Sequence, residues 1–414
     1  MEAYIAREKR LDQKLYHGHT RSELSRKDPL LLDLIEQLIR KENISENILS
    51  ARIYKAENFI YTGELDEAIA ASESVLQDQP SFVPAFHTLG RSLLLKGKTD
   101  QGIDIFTRAV MIDEKNGSNW KLLANVQYVK TGNLKAAKKK ILEGLNHDTT
   151  SAELYFELAE IERLLGNLPA AGSYYFQASK YDPTLYAASS GAAYCLFRQG
   201  YHMEAENLLK IILQRKKQLD AFIVYGELQL KREKLIEARQ LFETAAAVDQ
   251  TNSEIQSFLN LMQCHMGAPA EGIAKQMALA DSNKSNLKIL NNLLQSLYLA
   301  DRWEEAEKYL QQGEIIIKEN RKKEKPSYNE EDLYYLEIPA ELISDFYFYQ
   351  GLIYSKTKRQ SAAIKAFQNS IKMLPVNLDS YLEIVQLYSQ QGDKKQQDRY
   401  LKKMLELNPG PYYQ

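Results

Sequence analysis

A glycine returns along this chain at an almost fixed interval. Gly63, Gly97, Gly132, Gly166 and Gly200 are separated by 34, 35, 34 and 34 residues. Behind each glycine, after a short polar step, stands a small residue: Ala68, Gly102, Ala137, Ala171 and Ala205. This second series runs on through Ala238, Gly272, Ala306 and Ala363 at intervals of 33, 34, 34 and 57. The last interval exceeds the repeat by 23 residues, and Gly392 lies 34 beyond Lys358, which takes the corresponding turn position. A self-similar period of this length means one supersecondary unit used many times. Each unit is too small to bury its own apolar face, so it must stack on its neighbours.

Between the glycines, aromatic and small residues alternate at helical spacing. Phe86, Leu89, Gly90 and Leu93 are followed by Phe106 and Ala109. Tyr155, Leu158 and Ala159 are followed by Ala171, Tyr175 and Ala178, then Pro183. Ala238, Phe242 and Ala245 repeat the second half, and Tyr347, Gly351, Tyr354, Ala363, Phe367 and Pro375 repeat the whole. Period and pattern together resemble the tetratricopeptide repeat, W-x2-L-G-x2-Y then A-x3-F then P. The resemblance covers most of the chain and gains its specificity from reiteration. It implies an all-α, right-handed α-solenoid of about ten helix hairpins with an N-terminal helical cap. The physical reading agrees. Glycine stops the first helix, small residues let two helices approach, an aromatic fills the remaining space, and proline stops the second helix. On this packing, Ala171→Leu overpacks its unit by roughly 1–3 kcal/mol.

The regular array is expected over residues 49–317 as repeats 1–8 and over 344–414 as repeats 9–10. Residues 1–48 read as an arm and capping helix, with Asp28-Pro29 opening a stretch rich in leucine and isoleucine. Residues 318–343 form an insertion in which a basic block, Lys322-Lys323-Glu324-Lys325, precedes an acidic one, Glu330-Glu331-Asp332. It reads either as a surface loop extending a hairpin or as a docking element with Tyr334 and Tyr335 as anchors. Two repeats depart from the pattern. Trp120 comes one residue early relative to Gly132, so its helix should be one residue longer. The seventh repeat has Pro269 at the start of its second helix and no aromatic within it, and thin packing is expected there.

No catalytic constellation stands out. There is no phosphate loop, nucleophile elbow or H-E-x-x-H. The six histidines are scattered. His17-Gly18-His19 is too small a donor set for a metal site, and a straight helix would fan Met262, Cys264, His265 and Met266 around its axis. No metal or cofactor is expected. Cys195 and Cys264 are two repeats apart, beyond the reach of a disulfide, and are expected as free thiols. Lys plus Arg is 53 against 55 for Asp plus Glu. This balance gives no support to a broad nucleic-acid surface. No apolar run is long enough to span a bilayer and the charged N-terminus lacks a signal-peptide core, so a cytoplasmic setting is expected.

The family resemblance implies that the first helix of each unit lines a concave groove where peptides bind. On this register the groove carries His87 and Arg91; Phe156, Glu157, Glu160 and Arg163; Tyr194 and Phe197; Asn291, Asn292 and Gln295; and Phe348 and Tyr349. An amide can bond an extended peptide backbone as both donor and acceptor, which singles out the last three polar positions. A carboxylate clamp of the chaperone-tail type is not expected. Lys121 and Asn125 match its beginning, but Glu157, Ala187 and Gly191 follow where Asn, Lys and Arg are wanted. The expected function is a non-enzymatic protein-interaction scaffold that takes a peptide or partner helix in the groove. Two alternatives stand beside it: a recruiting subunit of an enzyme or export assembly, such as one for envelope polymers, and a self-assembling scaffold using the C-terminal repeats.

Overall fold

A hairpin of two helices needs a residue that reverses the chain at the first helix's end. The computed structural model describes residues 46–322 and 338–407, and in them the backbone turns to positive φ ten times. Seven of these turns are glycines, from Gly63 to Gly392, and three are Glu233, Asp301 and Lys358, at φ 58°, 55° and 60°. The ten positions mark ten hairpins. Eight of the turns carry both bonds of a Schellman-type stop, and Gly132 closes its helix with a single bond to the Tyr128 carbonyl. At one, Gly97 N–H donates to the Leu94 carbonyl and Lys98 N–H to the Leu93 carbonyl, both at 2.8 Å. Among the described residues every regular element is a helix. Residues 1–45, the larger part of the expected insertion with Tyr334 and Tyr335, and the segment from 408 onward lie outside the described residues.

The described chain divides into two compact units, one up to Glu157 and one from Leu158. The first contains hairpins α1 (Glu46–Thr62) with α2 (Leu65–Asp78), α3 (Val83–Leu95) with α4 (Thr99–Ile112), and α5 (Gly117–Thr131) with α6 (Leu134–His147). The unit boundary falls inside α7 (Ala152–Leu164). In α3 and α4 the packing rule is visible atom by atom. A Cβ on Gly90 would stand 2.5 Å from the tip of the Phe106 ring, so the aromatic of one helix fills the space that glycine leaves on the other. The expected longer helix is α5, at 15 residues where α3 has 13. Trp120 is buried in it, with its indole N–H on the Glu114 carbonyl at 2.8 Å.

The second unit pairs α8 (Leu168–Tyr181) with α7, then continues as α9 (Tyr186–Arg198) with α10 (His202–Arg215) and α11 (Leu219–Lys231) with α12 (Leu235–Val248). Next come α13 (Ser253–His265) with α14 (Pro269–Ser282), and α15 (Leu287–Leu299) with α16 (Trp303–Lys322). The last hairpins are α17 (Ala340–Lys356) with α18 (Gln360–Met373) and α19 (Leu378–Gln390) with α20 (Lys394–Glu406). Helix therefore occupies 318–322 and 340–343, the two ends of the expected insertion. Gly226 against Phe242 and Gly351 against Phe367 repeat the glycine–aromatic fit.

The seventh repeat differs from expectation in kind. Its α14 begins at Pro269, as predicted, but the missing aromatic is replaced by a buried polar core. The fully buried Gln276 amide donates to the Ser257 hydroxyl and to the Ile289 carbonyl (3.2 Å), and the Asn292 amide donates to the same hydroxyl at 3.0 Å. In the last helix, Tyr400 and Met404 pack against α19, so of the apolar face that could serve self-assembly only Leu401 and Leu405 remain open.

Candidate functional site

Four of the expected groove residues belong to the first unit. His87, on α3, shares a 2.6 Å hydrogen bond with the Asn119 side-chain oxygen. The Asn119 nitrogen is occupied by the Ala109 and Asp113 carbonyls, so its oxygen must face the ring and His87 Nε2 donates. Burial lowers the His87 pKa, against a smaller opposing effect of that hydrogen bond, which suits a neutral donor. Arg91 is buried with its guanidinium 3.7 Å from Glu57. Glu157 pairs with Lys121 at 3.0 Å, and Phe156 is buried. Lys121, which matches the first position of a chaperone-tail clamp, is thus held by a carboxylate of its own chain.

The other nine lie in the second unit. The structure brings most of them together through contacts the sequence reading did not anticipate. Glu160 accepts hydrogen bonds from Tyr175 and, at 3.0 Å, from Arg163. Arg163 pairs in turn with Glu341, 178 positions along the chain. Arg198 grips Asp345 with both guanidinium nitrogens, at 3.0 and 2.6 Å, and also donates to the Tyr194 hydroxyl. Lys231 reaches Asp379 at 2.7 Å. Gly166 packs so tightly on repeat 9 that a Cβ would stand 2.4 Å from the Met373 carbonyl oxygen. The first helices of repeats 4, 5 and 6 are thus clasped to those of repeats 9 and 10 inside one unit. Each pair joins positions far apart in the sequence, is partly buried and is in hydrogen-bonding geometry, so it is screened less than a surface pair.

The five charged residues Arg198, Lys231, Glu341, Asp345 and Asp379 are absent from the sequence-derived site. Their signal was available. A basic residue closes the first helix in three successive repeats (Arg163, Arg198, Lys231), and Glu341, Asp345 and Tyr349 fall on one face at i, i+4 and i+8. Nothing in the repeat register says that these two sets meet.

Behind the clasp lies a cavity of about 360 Å³. Phe197, Asn291, Gln295, Phe348 and Tyr349 line it, along with Tyr298, Leu299 and Leu352. Arg163, Glu160 and Tyr194 do not line it. Asn292 reaches its wall, but its amide is spent in the core on Ser257, so its expected peptide-binding role is corrected to a packing role. Gln295 accepts from the Tyr349 hydroxyl at 2.8 Å, and burial raises that phenol's pKa. Asn291 donates to the Leu342 carbonyl at 2.9 Å, while its side-chain oxygen, buried, has no partner. Lys288 bonds both oxygens of Glu227 and lies 5.0 Å over the Phe258 ring.

The sulfur sites remain plain. Cys195 and Cys264 are buried free thiols, and burial raises both pKa values. Among the described residues no cluster of three His, Cys, Asp or Glu side chains could hold a metal ion. No described helix is long and apolar enough to cross a membrane.

Residues 378–411 match a family model described as tetratricopeptide repeat. Among solved structures, the human IFIT1 dimer with PPP-AAAA aligns over 94% of this chain and 96% of its own, at 16% identity and a TM-score of 0.50. A tetratricopeptide repeat protein from Parabacteroides merdae aligns over 59% of this chain and 96% of its own, at 14% identity and a TM-score of 0.40. Yeast Tom70 covers 94% and 90%, at 10% identity and a TM-score of 0.41. At such identities the first of these likenesses speaks for fold.

Proposed function

We propose that this chain, a tetratricopeptide-repeat protein, is a non-catalytic interaction scaffold that takes a peptide or partner helix in the cavity of its second unit. The observation that carries this reading is the cavity itself. It is walled by first helices, mixes aromatic and aliphatic side chains with a few polar groups, and contains a buried amide oxygen with no partner. Preformed clefts of this composition bind by burying apolar surface and using the polar groups for orientation. Receptor ordering costs little when the wall is already packed.

The human neighbour carries PPP-AAAA, which raises nucleic acid as a ligand class. Charge supports a protein ligand here instead. The three basic side chains of the cavity wall, Arg198, Lys231 and Lys288, are each paired with a carboxylate. A phosphate would find no unmatched cation there, whereas nucleic-acid sites rest on an excess of them. The two free thiols fit a reducing, cytoplasmic setting. A self-associating scaffold is a second reading, favoured by Leu401 and Leu405, which α20 leaves exposed.

Affinity capture tests the proposal. Wild type and a Leu299→Ser, Phe348→Ala variant are used as parallel baits, with melting curves to confirm folding. The expected result is at least one partner recovered by wild type and lost from the variant. Equal recovery of every partner would remove the cavity from the function.

A further inference from the structure

We propose that the cavity of the second unit recognises a basic side chain, lysine or arginine, of an extended peptide. This rests on the scaffold reading above and narrows it to one ligand chemistry. Three observations point the same way.

The first is the charge balance of the wall. Asp345, Asp379 and Glu227 are consumed by Arg198, Lys231 and Lys288. Glu233 also lines the cavity, is exposed at its rim, and has no ion pair among the described residues. Its chain neighbour Arg232 is committed to Glu206. The wall therefore keeps one carboxylate in excess. The second is the hydrogen-bond balance. The Asn291 oxygen, on a residue 3% exposed, is an acceptor without a donor. His265 Nε2, also in the wall, is buried without a partner. A buried acceptor left unmet carries its desolvation penalty uncompensated, so a ligand rich in N–H groups recovers that loss. Burial lowers the His265 pKa, with Glu233 acting the other way, and a neutral ring does not repel a cation. The third is size. About 360 Å³ accommodates one or two residues and not a folded domain. The Phe348 ring in the wall suits the alkyl stem of a long basic side chain.

The test uses the full chain and fluorescein-labelled short alanine–glycine peptides whose central residue is Arg, Lys, Gln or Glu. The Arg and Lys peptides should bind, with the Gln peptide roughly tenfold weaker and the Glu peptide weaker still. Glu233→Gln should weaken the Arg peptide several-fold and Glu233→Lys should abolish its binding. Both changes sit at an exposed position and leave the core untouched. Asn291→Leu, checked by melting, should weaken all the peptides. Equal binding of Gln and Arg peptides, or an Arg peptide indifferent to Glu233→Lys, overturns the inference. So does tighter binding of a triphosphorylated oligoadenylate competing for the same cavity. A natural partner captured through the cavity yet unaffected by Glu233→Lys would leave the scaffold reading standing and sink this one alone.

Discussion

Lys358 stands where seven other repeats place a glycine, at φ 60°. A side chain in this region pays roughly 1–2 kcal/mol in steric conflict with its own backbone, which glycine escapes. Lys358→Gly should therefore stabilise the protein by about 0.5–1 kcal/mol, since glycine returns some of the gain as unfolded-state entropy. Chemical denaturation reads this directly, and a loss of stability would contradict the turn assignment. The glycines themselves separate into two kinds. Gly63 has open space around an added Cβ, so Gly63→Ala costs only the backbone strain. Gly166 faces the Met373 carbonyl, so Gly166→Ala should cost distinctly more. His202 adds a pH prediction. Burial, with Lys231 and Arg232 nearby, lowers its pKa to about 4. The unfolded chain thus holds this proton more tightly than the folded one. Stability should fall as pH drops from 6.5 towards 4, and His202→Gln should flatten that part of the profile in acid denaturation.

At the scale of helices, the ten hairpins were legible because the signal is local. The stop residue, the small residue after it and the aromatic partner all sit within one period, so each repeat confirms the next. The seventh repeat shows the limit of that logic. The absence of an aromatic in α14 was visible, but its replacement by Gln276 was not. The groups that accept from the Gln276 amide are the Ser257 hydroxyl, on the first helix of its own repeat, and the Ile289 carbonyl, on the next repeat, from which Asn292 joins by donating to Ser257. Asn292→Ala should therefore lower stability by about 1–3 kcal/mol, by stranding part of a buried network. Leu299→Ser, at a half-exposed position, should cost little. If thermal melts showed the two variants alike, Asn292 would return to the list of groove residues. The amides Asn291, Asn292 and Gln295 looked equivalent in the sequence because helix register gives direction only to within a turn. Three dimensions separate them into an open acceptor, a core donor and a phenol-bound oxygen.

For the second unit as a body, the clasp decides the shape of the cavity. A solenoid repeat ordinarily touches only its neighbours, and no pattern within a period announces a contact between repeats 5 and 9. This is why five of the six clasp residues escaped the sequence reading. Arg198→Asp places two carboxylates face to face and should open the ring. Small-angle scattering should then report a larger radius of gyration. The reciprocal pair, Arg198→Asp with Asp345→Arg, should restore the compact form, because the geometry accepts either polarity. An unchanged radius in the single variant would mean that packing at Gly166, and not charge, holds the ends together.

The same closure fixes how many links the bracelet can have. An open stack of hairpins tolerates duplication or loss of a unit, since each added member simply extends the row. Between Arg198 and Asp345 that freedom is gone. One hairpin more or fewer would carry the guanidinium past its carboxylate and leave both ends hanging. In this stretch the number of repeats is as much a part of the design as any side chain.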